Sequence, residues 1–268
     1  MGLSEITERV ETRALLAWHE RFSAAGIAGY DWRIERVGEA LCSVSSSDTS
    51  ILLNRVFELG RKGPPTRDQL LDIRRVYNDA GVGRFFLHVV PERKTGNTDE
   101  LLGATGYKKY RGWMKFARGP GDIRVADTDL ELRQIGPEHG AAFAAIAVPA
   151  FDIHPVSEPV VALLPGAEGY HAFMSFAGEE PAGTGVVFID GDVAHLDWGA
   201  THPGFRRRGG QTAMLGARLE YALGAGCTTI ATATGEAVPD DPQHSYNNIL
   251  KSGFKEAYLR ENWVPESA

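Results

Sequence analysis

The residues best suited to chemistry lie in one loop of the second half of the chain. The segment His202-Pro-Gly-Phe-Arg-Arg-Arg-Gly-Gly-Gln-Thr212 carries three consecutive arginines and three glycines, and it connects a strand-like segment to a helix-like one. The first N–H groups of a helix lack partners within the helix, and the helix dipole favours negative charge there. Glycine lets a phosphate approach the backbone closely, and arginine adds charge-assisted hydrogen bonds. The loop therefore predicts a phosphate-like anion site, although a solvated basic turn with a glycine cap would have the same composition.

Other phosphate-binding and nucleophile motifs are excluded by the residues they lack. Gly204 and Gly209 have the spacing of the P-loop glycines, but Gly210 and Gln211 stand where that motif has its lysine and its serine or threonine. The segment 224–229 lacks the third glycine of the dinucleotide-binding motif and follows a helix-like segment instead of a strand. The chain also contains no Gly-x-Ser-x-Gly nucleophile turn.

Composition and charge set further bounds. The 268 residues are 43% apolar and 24% charged, which is ordinary for one large or two average globular domains. No apolar run approaches the ~18 residues that span a membrane, and the N-terminus has no secretory signal. Two distant cysteines without metal-ligand spacing predict no metal site and fit a reducing, cytoplasmic compartment. The net charge of −7 argues against general nucleic-acid affinity.

Hydrophobic periodicity predicts mixed α and β elements along the chain. In the first half, Thr66 and Gln69 form a capping box for a helix that stops at Gly81, a strand follows over 84–90, and a second strand-like stretch begins at Leu101. The break Gly119-Pro-Gly121 predicts a boundary between one domain over 1–121 and another over 122–268. The second half predicts strands over 130–135, 170–176, 183–189, 193–201, 228–233 and 254–263, an Ala-rich helix after residue 136, and helices over 212–223 and 245–251.

Residues 130–263 resemble the GNAT superfamily of acyl-CoA-dependent N-acyltransferases. The family signature, Arg/Gln-x-x-Gly-x-Gly/Ala after a strand and His-Pro, is similar to Arg206-x-x-Gly209-x-Gln211, which departs from it at Gln211. The segment Ser245-Tyr-Asn-Asn-Ile-Leu-Lys-Ser-Gly-Phe254 is similar to the family's helix that ends in Gly-Phe. The resemblance implies an α/β (α+β) fold, a mixed and mostly antiparallel sheet flanked by helices. Strand 193–201 would splay from strand 228–233, with acyl-CoA in the cleft.

The resemblance also implies which residues bind acetyl-CoA as a co-substrate, without a metal. The backbone of Gly199, Ala200 and Thr201 would pair with the pantetheine arm, and the helix that carries Ser245 and Asn248 would border it. The pyrophosphate would bind to the segment from residue 206 to residue 212, namely Arg206, Arg207, Arg208, Gly209, Gly210, Gln211 and Thr212. We expect substitution of Gly209 by valine to block this binding without unfolding the protein.

Direct transfer to a primary amine needs a proton acceptor, because a lysine-like amine is neutral in only about one molecule in 2500 at pH 7. His195 and Asp197 share one face of their strand, and His195 matches a position where some family members carry a base. A half-exposed polar strand face is the alternative interpretation. A strand N–H would polarise the thioester carbonyl. Many family members place an acidic tyrosine where this chain has Ile249, which leaves Tyr246 as the candidate acid.

The sequence therefore predicts an N-acetyltransferase whose acceptor is a small-molecule or peptide amine. A non-catalytic acyl-CoA-binding module is the alternative, favoured by Gln211 and Ile249. The first half resembles a degenerate second copy, which implies two GNAT-like halves. The basic and aromatic stretch 107–118 favours a sheet-edge strand over an RNA-binding surface, since no nucleic-acid motif accompanies it. The sequence leaves the oligomeric state open, a homodimer included.

Overall fold

The computed structural model describes residues 2–124, 126–240 and 242–266. Contacts divide the chain into two compact units, each assembled from two stretches of sequence. Unit 1 comprises the described residues of 1–27 and 115–257, and unit 2 those of 28–114 and 258–268. The chain therefore passes from one unit to the other inside two of its strands, β5 (Tyr107–Arg118) and β11 (Lys255–Pro265).

Unit 1 is a mixed sheet flanked by helices. Within it the strands β10, β9, β8, β7 and β6 are neighbours in that order. The pairs β6/β7, β7/β8 and β8/β9 are antiparallel, whereas β9/β10 is parallel. Its elements are α1 (Leu3–Ala25), β6 (Glu131–Ile135), α4 (Gly140–Ala150), α5 (Glu158–Val161), β7 (Tyr170–Ala177), β8 (Glu180–Asp190), β9 (Val193–Thr201), α6 (Gly210–Gly224), β10 (Thr229–Gly235) and α7 (His244–Lys251). The predicted α/β class and the strands and helices predicted after residue 130 are confirmed.

Unit 2 is a smaller α/β unit with its own apolar core. Its elements are β1 (Arg33–Val37), β2 (Ala40–Val44), β3 (Arg55–Phe57), α2 (Arg67–Asp79), β4 (Phe86–Val89) and α3 (Thr98–Ala104), together with parts of β5 and β11. The Thr66 half of the predicted capping box is present, because Thr66 Oγ1 accepts a hydrogen bond from the Gln69 N–H at the start of α2. The side chain of Gln69 donates instead to the Val37 carbonyl at 3.0 Å. The core includes Tyr77, whose ring stacks on Phe85 at a centroid distance of 3.7 Å.

The strand predicted to begin at Leu101 is wrong, because residues 98–104 form the short helix α3. Oγ1 of Thr98 accepts a 2.8 Å hydrogen bond from the Thr95 N–H just before the helix begins. Thr105 then donates its hydroxyl back to the Leu101 carbonyl, and Gly106 adopts a φ of +78°. The chain turns there, so the strand begins only at Tyr107.

The first helix belongs to unit 1, although the sequence places residues 1–121 in one domain. Within unit 1 the indole N–H of Trp18 donates a 2.9 Å hydrogen bond to the Val160 carbonyl. The hydroxyl of Tyr170 donates a 2.8 Å bond to the Ala14 carbonyl. The units seen in the structure thus differ from a division at 121/122. Helix α1 is bonded to residues 142 and 156 positions further along the chain, and residues 258–266 lie in unit 2.

A buried ion group accounts for part of the basic stretch in β5. Lys115 is fully buried in unit 1, and its Nζ lies 2.5 Å from Glu11 Oε2 and 3.9 Å from Glu8 Oε1, both on α1. A buried ammonium needs such partners, because its desolvation is otherwise uncompensated. This lysine is therefore not available to bind an external phosphate.

Candidate active site

The two central strands of unit 1 separate partway along their length. Strands β9 and β10 pair in parallel from Val193 and Thr229 to Leu196 and Thr232, and the pairing ends there. The Thr232 hydroxyl closes the paired section with a 2.8 Å hydrogen bond to the Leu196 carbonyl. Beyond this point β9 continues to Thr201 and β10 to Gly235. The splayed pair implied by the family resemblance is therefore present.

A β-bulge shapes β9 where the strands separate. Asp197 pairs with Val186 and Ala200 with Thr184, so Trp198 and Gly199 of β9 face the single residue Gly185 of β8. Trp198 has a φ of +55°, which is strained for a bulky residue. Its N–H donates a 2.8 Å hydrogen bond to Asp197 Oδ1 and its carbonyl accepts a 3.0 Å bond from the Thr184 hydroxyl. These bonds hold the bulged conformation.

The opening between the strands is a cavity of about 110 Å³. Its wall is formed by both splayed strands, by the first two turns of α6 and by α7. The lining residues are Phe151, Thr184, Leu196, Asp197, Gly199, Ala200, Gln211, Met214, Leu215, Arg218, Thr232, Ala233, Thr234, Ser245 and Ile249. Of the sequence-predicted site residues, the cavity thus brings together Asp197, Gly199, Ala200, Gln211 and Ser245.

The N-terminus of α6 offers unpaired backbone donors. The first bond of the helix runs from the Ala213 N–H to the Gly209 carbonyl at 3.1 Å, so the N–H groups of residues 210–212 have no partner within the helix. Gly209 caps the helix with a φ of +74°. A Cβ at Gly209 would lie 2.2 Å from the Asp127 carbonyl oxygen. The protein's own backbone therefore favours glycine here, so we expect a valine variant to lose stability as well as co-substrate binding.

The three predicted arginines differ in their surroundings. Arg208 makes a two-pronged ion pair with Asp129, with Nε 3.0 Å from Oδ1, and this hydrogen bonding lowers the pKa of Asp129. Arg206 and Arg207 are exposed, and neither forms an ion pair with any residue that the structure describes. These two are therefore the arginines free to meet an anion at the start of α6.

Gln211, the residue at which the signature departs, links α6 to α7. Its Oε1 accepts a 2.7 Å hydrogen bond from Asn248 Nδ2, and its Nε2 donates to Ser245 Oγ at 3.3 Å. Ser245 and Ile249 lie one turn apart on the face of α7 that lines the cavity. The side chain of Gln211 is therefore held against α7.

The two predicted proton acceptors, Asp197 and His195, differ in their access to the cavity. Asp197 lines the cavity and its side chain is 42% exposed, whereas His195 is buried and does not line the cavity. His195 Nε2 lies 3.8 Å from Asp197 Oδ2, and the buried His195 Nδ1 has no hydrogen-bond partner among the residues that the structure describes. Proton transfer between the cavity and His195 would thus pass through Asp197.

Tyr246 does not line the cavity. Its hydroxyl donates a short hydrogen bond to Glu256 Oε1, and its ring packs edge-on against Phe116. Burial and the bond to Glu256 raise the pKa of Tyr246 to about 12. Ile249, at the position where the family resemblance implies a tyrosine, lines the cavity instead.

Arg218, the most buried charged group of the cavity wall, was not predicted from the sequence. It is 3% exposed and lies on α6. The signal was available, because Arg218 stands three residues after Leu215 and one before Leu219, on the helix face that carries the apolar stripe. Phe151, the residue that follows α4, also lines the cavity.

Among the described residues, no group of three or more His, Cys, Asp or Glu side chains could hold a metal ion. No helix in the described part of the chain is long and apolar enough to span a membrane.

Residues 142–246 match the model of the acetyltransferase (GNAT) family, which confirms the resemblance for the part of the chain that carries β9 and α6. No curated protein matches the chain.

Solved structures share the fold over nearly the whole chain. A GCN5-related N-acetyltransferase from Kribbella flavida superposes with a TM-score of 0.65 at 16% identity, covering 98% of this chain and 96% of its own. A tandem GNAT protein from the clavulanic acid biosynthesis pathway gives 0.60 at 13% identity and covers 96% of both chains. A GCN5-related N-acetyltransferase from Sphaerobacter thermophilus gives 0.58 at 10% identity, covering 91% of this chain and 84% of its own. At these identities the likeness establishes the GNAT fold.

Proposed function

We propose that unit 1 is an N-acetyltransferase that transfers acetyl from acetyl-CoA to a primary amine by direct attack. The observation that carries this proposal is the separation of β9 from β10 beyond Leu196 and Thr232, which opens a cavity bordered by the N-terminus of α6. The match of residues 142–246 to the GNAT family supports the same reaction class.

The residues around the opening fit acetyl-CoA as a co-substrate. The backbone N–H groups of Gly210, Gln211 and Thr212, with Arg206 and Arg207, would hold the pyrophosphate. The backbone of residues 199–201 lies on the edge of β9 that is no longer paired with β10, and it would hold the pantetheine arm. Ser245 and Asn248 border that path, whereas Arg208 acts through its ion pair with Asp129, which fixes the loop. The thioester of acetyl-CoA supplies the activated acyl group when it is bound.

The chain's own part in the reaction is to position the amine and accept its proton. Asp197 Oδ2 would take the proton at the cavity wall, and His195, 3.8 Å behind it, would share the charge. A backbone N–H of β9 beyond the bulge would stabilise negative charge on the carbonyl oxygen. The acceptor would enter beside Phe151. Unit 2, as a degenerate copy of the same fold, would carry no catalytic group of its own.

A non-catalytic acyl-CoA-binding module is the second candidate function. The observation in its favour is that Ile249 lines the cavity where the resemblance implies an acidic tyrosine, while the Tyr246 hydroxyl is engaged by Glu256. In such a module the cavity would bind the acyl group without a route for the proton.

Calorimetric titration with acetyl-CoA and CoA, followed by a CoA-release assay with a panel of primary amines, tests both candidates. Micromolar one-site binding with thiol release supports the enzyme. Binding without release from any amine supports the binding module, and no binding overturns both. A thiol reagent suits the assay, because Cys42 and Cys227 are buried and burial raises the pKa of Cys42 to about 12. A blank without amine corrects for residual protein thiols.

A further inference from the structure

A buried cation forms part of the cavity wall. The guanidinium of Arg218 donates from Nε to the Met214 carbonyl at 3.1 Å. Its Nη1 donates to the carbonyls of Asp197 at 3.0 Å and Val186 at 3.4 Å. Among the described residues, none accepts a hydrogen bond from Nη2. Nε and Nη1 of the guanidinium are therefore hydrogen-bonded within the protein, whereas Nη2 is available to a ligand.

No carboxylate in the described part of the chain accepts a hydrogen bond from Arg218, whose acceptors there are neutral carbonyls. Asp197 contributes its backbone carbonyl, while its carboxylate accepts from the Trp198 N–H and approaches His195. Burial lowers the pKa of Arg218 to about 10, against the attraction of the Asp197 carboxylate, so the group stays protonated at neutral pH. A buried guanidinium that is hydrogen-bonded only to neutral carbonyls is costly, and an anion bonded to it directly would offset more of that cost.

The free edge lies at the bulge. A Cβ on Gly199 would stand 3.2 Å from Nη2, and a Cβ on Gly185 would stand 2.9 Å from Cζ. Both glycines therefore leave room for the guanidinium between β8 and β9. Gly199 and Arg218 line the same cavity, beside the point where the strands separate, and Nη2 is the guanidinium nitrogen closest to a Cβ at Gly199.

We propose that a carboxylate of the substrate binds to Nη2 of Arg218 inside this cavity. The inference rests on the proposed function and names a substrate class for it. The carboxylate has two sources: the free end of a dicarboxylic acyl group on CoA, or an amino-acid acceptor. For an amino acid, the same wall offers the carboxylate of Asp197 to the ammonium group before its proton leaves.

Matched pairs of charged and neutral probes separate the two sources. The donor pair is succinyl-CoA against butyryl-CoA, compared by calorimetric affinity. The acceptor pair is alanine against alaninamide with acetyl-CoA, compared as kcat/KM at equal concentration of neutral amine. We expect the carboxylate member of one pair to be preferred by roughly tenfold or more, the range of a hydrogen bond between charged groups. The pair that shows the preference identifies the source.

Variants of Arg218 test whether the preference acts through this residue. Arg218→Met keeps an apolar stem without the charge and should abolish the preference, whereas Arg218→Lys should retain part of it. Arg133→Met is the matched control, because Arg133 is an arginine of the same unit engaged by Glu131 and Glu179. If Arg218 only supported the bulge, both members of each pair would weaken equally.

The wild-type comparison decides the matter even if the Arg218 variants fail to fold. If the wild type binds succinyl-CoA and butyryl-CoA with equal affinity and shows equal kcat/KM for alanine and alaninamide, the inference is overturned and the proposed function still stands. A preference that survives in a folded Arg218→Met variant also overturns it. Failure of the wild type to bind any acyl-CoA overturns the proposed function and this inference together.

Discussion

Asn248 on α7 donates a 2.7 Å hydrogen bond from Nδ2 to Oε1 of Gln211 on α6. The residue at which this chain departs from the GNAT signature is thus a bridge between two helices of the candidate site. Its side chain contacts α7, while its backbone N–H stays among the unpaired donors at the start of α6. A glutamine can therefore replace the usual small residue without removing the backbone N–H donors at the start of α6.

Gln211→Ala should destabilise the protein by about 1 kcal/mol through the lost hydrogen bond and leave acetyl-CoA affinity within about threefold. Asn248→Ala is the matched variant. The destabilisation of the double mutant should be clearly smaller than the sum of the two single effects, because both substitutions remove the same hydrogen bond. Chemical denaturation and calorimetry give the two quantities. A tenfold loss of affinity in Gln211→Ala would mean that the side chain itself binds the co-substrate.

Gly209→Ala should lower the free energy of unfolding by about 1–3 kcal/mol, because its Cβ would meet the Asp127 carbonyl and its φ is +74°. Gly204→Ala is the control in the same loop. Its Cβ would come no closer than 3.4 Å to any atom, the nearest being the His202 ring, so its stability should change by less than about 0.5 kcal/mol. Equal stability of the two variants in thermal denaturation would contradict the close approach at Gly209.

Arg206→Gln and Arg207→Gln should each weaken acetyl-CoA binding by about 1 kcal/mol, roughly fivefold, because both side chains are exposed and free to meet phosphate. The difference from wild type should shrink at high salt, since exposed charges are screened. Arg133→Gln, engaged by Glu131 and Glu179, should bind like the wild type. Calorimetry at low and high salt checks this, and a salt-independent loss would point to misfolding of the loop.

Asp197→Asn should lower kcat by about 10²–10⁴ while acetyl-CoA affinity stays near the wild-type value, because the carboxylate at the cavity wall accepts the amine proton. His195→Gln should lower kcat by a smaller factor, because His195 lies behind Asp197 and does not line the cavity. Steady-state kinetics measures both effects. A wild-type kcat in His195→Gln would make His195 a structural residue.

Tyr246→Phe should leave kcat within about twofold of the wild-type value and lower the free energy of unfolding by about 1 kcal/mol. The reason is that the Tyr246 hydroxyl donates its hydrogen bond to Glu256 and does not line the cavity. The pKa of Tyr246 is raised to about 12, so the stabilising contribution of the protonated phenol is complete below pH 10 and falls as the pH rises toward 12. Tyr246 should therefore add no basic limb to the rate profile below pH 10. A tenfold drop in kcat would restore Tyr246 as the acid.

The sequence predicted the elements of unit 1 after residue 130 well, because alternation, helical periodicity and turn residues are local signals. It missed α1, whose buried glutamates face a lysine more than a hundred positions away. It also predicted a strand at Leu101, where the short helix α3 is stabilised by hydrogen bonds of the Thr98 and Thr105 side chains at its two ends. Both helices depend on side-chain contacts that hydrophobic periodicity does not reveal.

By itself, the sequence determined the class of fold and the family resemblance and predicted an anion site at the start of α6, since these follow from residues adjacent in the chain. Only the tertiary structure decided that Asp197 lines the cavity while His195 stands behind it, that Tyr246 is engaged elsewhere, and that Arg218 brings a buried charge to the wall. The physical reason is that burial and charge pairing depend on which strands and helices meet, and the bulge at Trp198 changes which side chains face the opening.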